Sequence, residues 1–187
     1  SAKLKRKAVD NIFVRPSKIL RTELRNVPTE GLTNEDLSGI KRNMYNARRK
    51  LLPLLPKTQE EVHIKIEELQ PILTNREEQF LLVNNKALKL LIFSCKTNLE
   101  YLCQSETVLV DGTFQYCTKF FTQLFTIHAH FNGHYVPLVF CILPGKTTAI
   151  YKETFQIIEL ECDKLGLKFS PKTIISDFEM AIHPAIS

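Results

Sequence analysis

Two aspartates follow short apolar runs, Asp111 in Thr-Val-Leu-Val-Asp-Gly-Thr-Phe and Asp177 in Thr-Ile-Ile-Ser-Asp-Phe-Glu-Met. A carboxylate at the end of a buried strand is expensive to desolvate unless something cationic meets it. Two carboxylates brought together repel each other unless one takes up a proton or a divalent cation lies between them. Hard oxygen ligands suit Mg²⁺ or Mn²⁺. Two such ions about 4 Å apart activate a water or a 3′-hydroxyl and stabilise the leaving oxygen in phosphodiester transfer. The alternative is local: Asp111 is an exposed strand-end residue, and Asp177 caps a helix beginning at Phe178-Glu179-Met180-Ala181. On the residues alone both readings stand.

Other chemistry-bearing residues point less sharply. Glu179, two residues after Asp177, suits the first turn of a helix, where free amides and the dipole favour a carboxylate. His128 and His130 share a strand face, but with no third ligand they read as face residues rather than a metal pair. Gly145-Lys146-Thr147 is P-loop-like, yet Phe140 occupies the position where the earlier glycine is required. Five cysteines, Cys95, Cys103, Cys117, Cys141 and Cys162, include no Cys-x-x-Cys pair, which argues against a zinc ribbon or a disulfide framework. They are expected to be reduced and mostly buried.

The aspartates need strands to hold them. Thr107–Tyr116, Phe121–Asn132 and His134–Leu143 are β-like runs, the last two joined by the tight-turn pair Asn132-Gly133. Pro137 cannot donate a ladder hydrogen bond, so the third run is expected at a sheet edge. A helix follows with Tyr151, Phe155, Ile158, Cys162 and Leu165 on one stripe, closed by Gly166. A strand at Thr173–Ser176 comes next. A crossover returns that strand to the sheet beside the first, which would bring Asp111 and Asp177 onto neighbouring strands.

Upstream the charge changes sign. Residues 1–57 carry 14 Lys/Arg against 5 Asp/Glu, whereas residues 58–187 carry 11 against 15. The basic part suggests an anionic partner, either nucleic acid or an anionic membrane surface. Residues 1–32, with Pro16, Pro28 and Gly31, read as an extended, flexible segment. Residues 33–57 read as a basic helix: Thr33-Asn34-Glu35-Asp36 has the form of a capping box, and Leu37, Ile40, Met44, Ala47 and Leu51 recur at helical spacing until Pro53. Lys41, Arg42, Tyr45, Arg48 and Arg49 lie off that stripe, where long cationic side chains reach successive phosphates; a solvated helix face is the plainer reading. Residues 58–106 hold a helix capped at Thr58, a β-hairpin of Phe80–Val83 and Leu88–Phe93 about Asn84-Asn85, and a helical turn or two at Asn98–Gln104. No run reaches the length of a membrane span, and the N-terminus lacks the apolar core of a signal peptide, so a soluble intracellular protein is expected. Lys5-Arg6-Lys7 has the character of a short nuclear import cluster.

Val-Asp-Gly-Thr-Phe at 110–114, Tyr-Val-Pro-Leu-Val-Phe at 135–140, Tyr-Lys-Glu-Thr-Phe at 151–155 and Ser-Asp-Phe-Glu-Met-Ala at 176–181 together resemble the catalytic core of Mutator-like (MULE) transposases. The resemblance covers roughly residues 107–187. The basic stretch at 37–50 also resembles the helix upstream of that core in eukaryotic members, where it often follows a FLYWCH-type zinc finger; residues 1–187 hold no such finger. The resemblance implies an α/β, RNase H-like fold with a DDE triad, here the incomplete β-β-β-α-β-α start of a mixed sheet preceded by a basic helical region and a β-hairpin. Asp111 and Asp177 match the first and second acids. The third acid lies on a later helix beyond a helical insertion, and the chain ends before it.

The expectation is therefore a nuclear DNA transposase acting by Mg²⁺- or Mn²⁺-dependent strand cleavage and transfer, with Asp111 and Asp177 as catalytic metal ligands and Lys41, Arg42, Arg48 and Arg49 on DNA. The chain is expected to be catalytically incomplete and, with strand 173–176 an unpaired edge, to self-associate. A non-catalytic DNA-binding derivative and a structural interaction domain are the alternatives.

Overall fold

A computed structural model describes residues 2–12, 14–25, 31–51, 54–113, 117–176 and 181–185. They form two compact units, Ser1–Leu55 and Pro56–Ser187.

In the first unit, helices α1 (Ala2–Asp10), α2 (Pro16–Leu24) and α3 (Asn34–Arg49) enclose a small core of Ala8, Ile19 and Met44, with Leu4, Val14 and Ile40 packed against it. The capping box forms: Thr33 Oγ1 accepts from the Asp36 amide at 3.2 Å, and Asp36 Oδ2 accepts from the Thr33 amide at 3.0 Å. These bonds hold the Asp36 carboxyl below its ordinary pKa. Leu51 lies past the end of α3 and is exposed.

The extended reading of the N-terminal segment is corrected by α1 and α2. Each has nine residues, too few for a clear period and too few to be stable alone. Packing on α3 supplies the missing stability, and Pro16, at the first helical position, starts α2 instead of breaking it.

In the second unit, α4 (Gln59–Glu68) begins at Thr58, whose hydroxyl accepts from the Glu61 amide. Strands β1 (Leu81–Asn85) and β2 (Leu90–Phe93) follow, then α5 (Lys96–Gln104), β3 (Thr107–Thr113), β4 (Gln123–Phe131), β5 (His134–Leu143), α6 (Thr148–Lys164) and β6 (Thr173–Ser176). Asn84 and Asn85 belong to β1 rather than to the hairpin turn; the Asn85 carboxamide accepts from the Leu88 amide to close the turn that follows. Asn132 and Gly133 both have positive φ, 49° and 79°, as a tight β4–β5 hairpin requires.

The sheet is mixed and six-stranded, in the order β1-β2-β5-β4-β3-β6. β3 and β6 are parallel and the other neighbours antiparallel. One face carries Val108, Val110, Phe125, Ile127, Val139 and Cys141 into a core shared with Leu99 and Leu102 of α5 and Tyr151, Phe155 and Ile158 of α6. Burial of each large apolar side chain contributes about 1.5–3 kcal/mol. Tyr151 is fully buried, and its hydroxyl accepts from Gln123 Nε2 at 2.6 Å.

Pro137 does not mark an edge strand, because β5 lies between β2 and β4. The position is permitted for two local reasons. β2 pairs only with Phe140–Ile142, so Pro137 lies on the half of β5 beyond that ladder, and the β4 register shifts there, pairing Ile127 with Val139 and His128 with Pro137. The skipped Leu138 has its carbonyl taken up by Ser94 Oγ at 2.9 Å and Asn98 Nδ2 at 3.0 Å.

Candidate functional site

Alternation along β3 decides where Asp111 points. Val108 and Val110 are buried in the core, so Leu109, Asp111 and Thr113 occupy the opposite face. Asp111 is half-buried there, directly opposite Thr126 of β4. Among the described residues its carboxylate accepts one long contact, from Thr113 Oγ1 at 3.4 Å. Thr126 Oγ1 donates to the Asp111 carbonyl at 3.3 Å and lies 2.9 Å from His128 Nε2. A hydroxyl has one proton to give, so with that proton on the carbonyl it accepts from His128, which requires the Nε2–H tautomer. Burial lowers the His128 pKa, opposed by the nearby Asp111 charge. The imidazole is thus held neutral and tied to Asp111 through Thr126.

β6 runs alongside β3 in the register Thr107↔Thr173, Val108↔Ile174, Leu109↔Ile175 and Val110↔Ser176. Asp177 and Glu179 lie outside the described residues. Among the described residues no group of three His, Cys, Asp or Glu side chains is placed to hold a metal ion. His130 instead faces Tyr135 across the β4–β5 hairpin, with ring centroids 5.1 Å apart. Cys95, Cys141 and Cys162 are buried and Cys103 and Cys117 half-buried, all as free thiols. Burial, with the Cys103 thiol beside it, pushes Cys162 up to about 12, which leaves it little thiolate character. Gly145-Lys146-Thr147 leads into α6, where Thr147 is the N-cap, its hydroxyl accepting from the Ile150 amide at 3.3 Å.

Residues 107–187 match the MULE transposase domain. None of the curated proteins and none of the solved structures matches the chain. The MULE residues begin at the first residue of β3 and take in the Asp111 strand, the β4–β5 hairpin, α6 and β6. No described helix is long and apolar enough to cross a membrane.

The basic residues belong to the first unit and divide into two kinds. Arg42, Tyr45 and Arg49 are exposed on α3, and Lys41 is half-exposed. Arg48 is different: only 8% exposed, it donates from Nε to the Ala8 carbonyl at 2.7 Å and from one terminal nitrogen to the carbonyls of Asn11 and Val14. The exposed face is therefore Lys41, Arg42 and Arg49, with Arg48 joining α3 to the end of α1 and the connection that follows. Its place on a phosphate-contacting face is corrected for that reason. Helical spacing could not distinguish it, because the partners are main-chain carbonyls more than thirty positions away.

Two further features escaped sequence reasoning. His63 is buried at the α4–β1 contact, with Nδ1 donating to Asn84 Oδ1 at 2.5 Å and its carbonyl accepting from Asn84 Nδ2 at 2.9 Å. A cleft of about 640 Å³ also opens beside α5 and the β4–β5 hairpin. The unusual sequence signal for that cleft is an aromatic residue, Tyr101, left 46% exposed on a helix that otherwise buries Leu99 and Leu102.

Proposed function

We propose that this protein is a DNA transposase of the Mutator-like type, whose core is RNase H-like and whose chemistry is metal-dependent cleavage and transfer of DNA strands. The observation that carries the reading is the parallel β3–β6 register. It lays the strand that leads into Asp177 alongside the strand that carries Asp111, whose neighbours on its own face are Thr126 and His128. The MULE match over the same residues supports the assignment of these aspartates as the first two acids of a DDE triad.

The donor chemistry at Asp111 fits a hard divalent cation: it is a half-buried strand carboxylate that accepts only one long hydrogen bond among the described residues. Asp111 and Asp177 would hold Mg²⁺ or Mn²⁺, which would activate the attacking oxygen and stabilise the leaving one. The chain's own part is positional. Pairing with Thr126 and the adjoining His128 hold the Asp111 backbone still, while Lys41, Arg42 and Arg49 engage DNA through its phosphates and not its bases. Such work belongs in the nucleus, in keeping with the Lys5-Arg6-Lys7 cluster.

The test is DNA nicking and joining by the full-length protein with Mg²⁺ or Mn²⁺. Asp111→Asn and Asp177→Asn should each abolish product while leaving duplex binding intact. Undiminished activity in either variant rejects the assignment, and binding without any nicking by the parent protein favours the non-catalytic derivative.

A further inference from the structure

The cleft beside α5 opens near the start of β3, where Ala129 in its lining pairs with Val108, three positions before Asp111, and Asp111 is not among its lining residues. Its rim carries Tyr101 of α5 and Phe131 of β4, 46% and 52% exposed, with ring centroids 5.7 Å apart and planes at 66°. Arg76, Asn98, Gln104 and His130 line the same space. The two rings meet edge to face, and beside a cavity within the roughly 300–1,000 Å³ typical of ligand sites an exposed pair of this kind offers one ring face for a planar group to stack on and a second ring to flank it.

Two observations narrow the occupant. Added strand pairing is a poor fit, because Pro137 has no amide proton and the Leu138 carbonyl already accepts from Ser94 and Asn98. The acidic group in the lining, Glu78, is engaged at the start of α5: its Oε1 accepts from Thr97 Oγ1 at 2.7 Å and from the Thr97 amide at 3.2 Å. Hydrogen bonding from Thr97 holds Glu78 ionised with its pKa lowered, and Arg76 lies within its field. The lining thus offers two rings, the Gln104 carboxamide and a guanidinium. That set matches a base to be stacked, a base edge to be hydrogen-bonded and one phosphate to be met.

We infer that this cleft binds one unpaired nucleotide, its base against Tyr101 and Phe131 and its phosphate at Arg76. The inference rests on DNA being the partner and is independent of strand cleavage. With one phosphate engaged, the single-strand affinity held by this cleft should depend on salt with a logarithmic slope of only about −0.7.

The test uses the full chain, a labelled eight-nucleotide oligothymidylate and a duplex control. Tyr101→Ala should weaken oligothymidylate binding by roughly fivefold to a hundredfold, the range for loss of one stacked base. Tyr101→Phe should restore it, and duplex affinity and the melting temperature should not move in either variant. Ultraviolet cross-linking of a 5-iodouracil oligonucleotide should map to Tyr101 or Phe131. Competition by thymidine monophosphate would assign a free-nucleotide site, and competition by oligonucleotides alone an unpaired strand. Wild-type oligothymidylate affinity in Tyr101→Ala, equal loss of duplex binding, or cross-links elsewhere would overturn the inference, including the case in which the cleft takes an apolar peptide. If nicking is absent but these results hold, the strand-cleavage reading fails and this one stands.

Discussion

Arg48 Nε donates to the carbonyl of Ala8 at 2.7 Å, tying the end of α3 to the end of α1 across forty positions of sequence. Two further carbonyls, of Asn11 and Val14, accept from the same guanidinium. Hydrogen bonds to a charged group contribute about 1.5–3 kcal/mol each, and the carbonyls left behind are poorly solvated. Arg48→Ala should therefore cost the first unit at least about 2 kcal/mol, read as a lower urea midpoint or faster amide exchange in α1. Arg48→Lys should recover little, since an ammonium lacks the planar fork that reaches several acceptors. Stability unchanged in Arg48→Ala would show the three bonds to be incidental.

The exposed cations predict the opposite pattern. Replacing Lys41, Arg42 and Arg49 with Ala should leave stability within about 0.5 kcal/mol, as exposed substitutions do. Duplex affinity should fall, with the logarithmic salt slope decreasing by about one for each phosphate that is no longer neutralised. An unaltered slope would make α3 a solvated face and nothing more.

How much of the fold is legible in the residues depends on the range of the interaction. Local signals serve well: the Thr33 and Thr58 caps, the Asn132-Gly133 turn, the α6 stripe of Tyr151, Phe155, Ile158 and Cys162, though not Leu165, which caps the helix and is exposed, and the return of β6 beside β3 follow from spacing and turn chemistry within a few residues. Contacts between distant residues are hidden. Arg48 looks like its neighbour Arg49 until α1 closes on it, and Pro137 looks like an edge residue until Ser94 and Asn98 appear beside Leu138. At the candidate site, Asp111 announces itself as a charge after an apolar run, whereas Thr126 and His128 become relevant only through the β3–β4 register. Asp177 lies outside the described residues, so its pairing with Asp111 is a matter for the nicking experiment.

His128 gives a pH prediction with a definite sign. Burial lowers its pKa in the folded protein from the ordinary 6.5, so the unfolded chain takes up the proton first as pH falls. The stabilisation is present above pH 6.5 and is lost as pH falls through the folded value. Urea titrations at intervals between about pH 7 and 5 should show a shallower decline for His128→Gln than for the parent chain. A parallel decline in both proteins would mean that His128 does not contribute the linkage.

The Leu138 carbonyl offers a test of shared acceptance. Ser94 is fully buried and donates to it, and Asn98 donates to the same oxygen. Removing one donor leaves the other, so Ser94→Ala or Asn98→Ala alone should cost about 1 kcal/mol. Removing both strands a carbonyl that the β2 ladder does not reach, which adds a desolvation cost of about 1–3 kcal/mol. The double variant should therefore be less stable than the two single losses predict, and simple additivity would show that water or a shifted β5 satisfies the oxygen.

At the other side of the sheet, β6 pairs with β3 along one flank and, among the described residues, is the outermost strand. It is four residues long, and Ile175 is 41% exposed on the Asp111 face. An open edge with an apolar side chain is a template for another strand, and a charged residue there discourages pairing. Ile175→Lys should lower the self-association of this chain at high concentration, measured by sedimentation, with a stability change of no more than about 0.5 kcal/mol. Because Ile175 pairs with Leu109 two positions before Asp111, the same variant also separates two causes of any assembly. Loss of oligomers would locate the contact at β6, and oligomers that persist with Lys at 175 would place it elsewhere and leave the β6 edge without a partner.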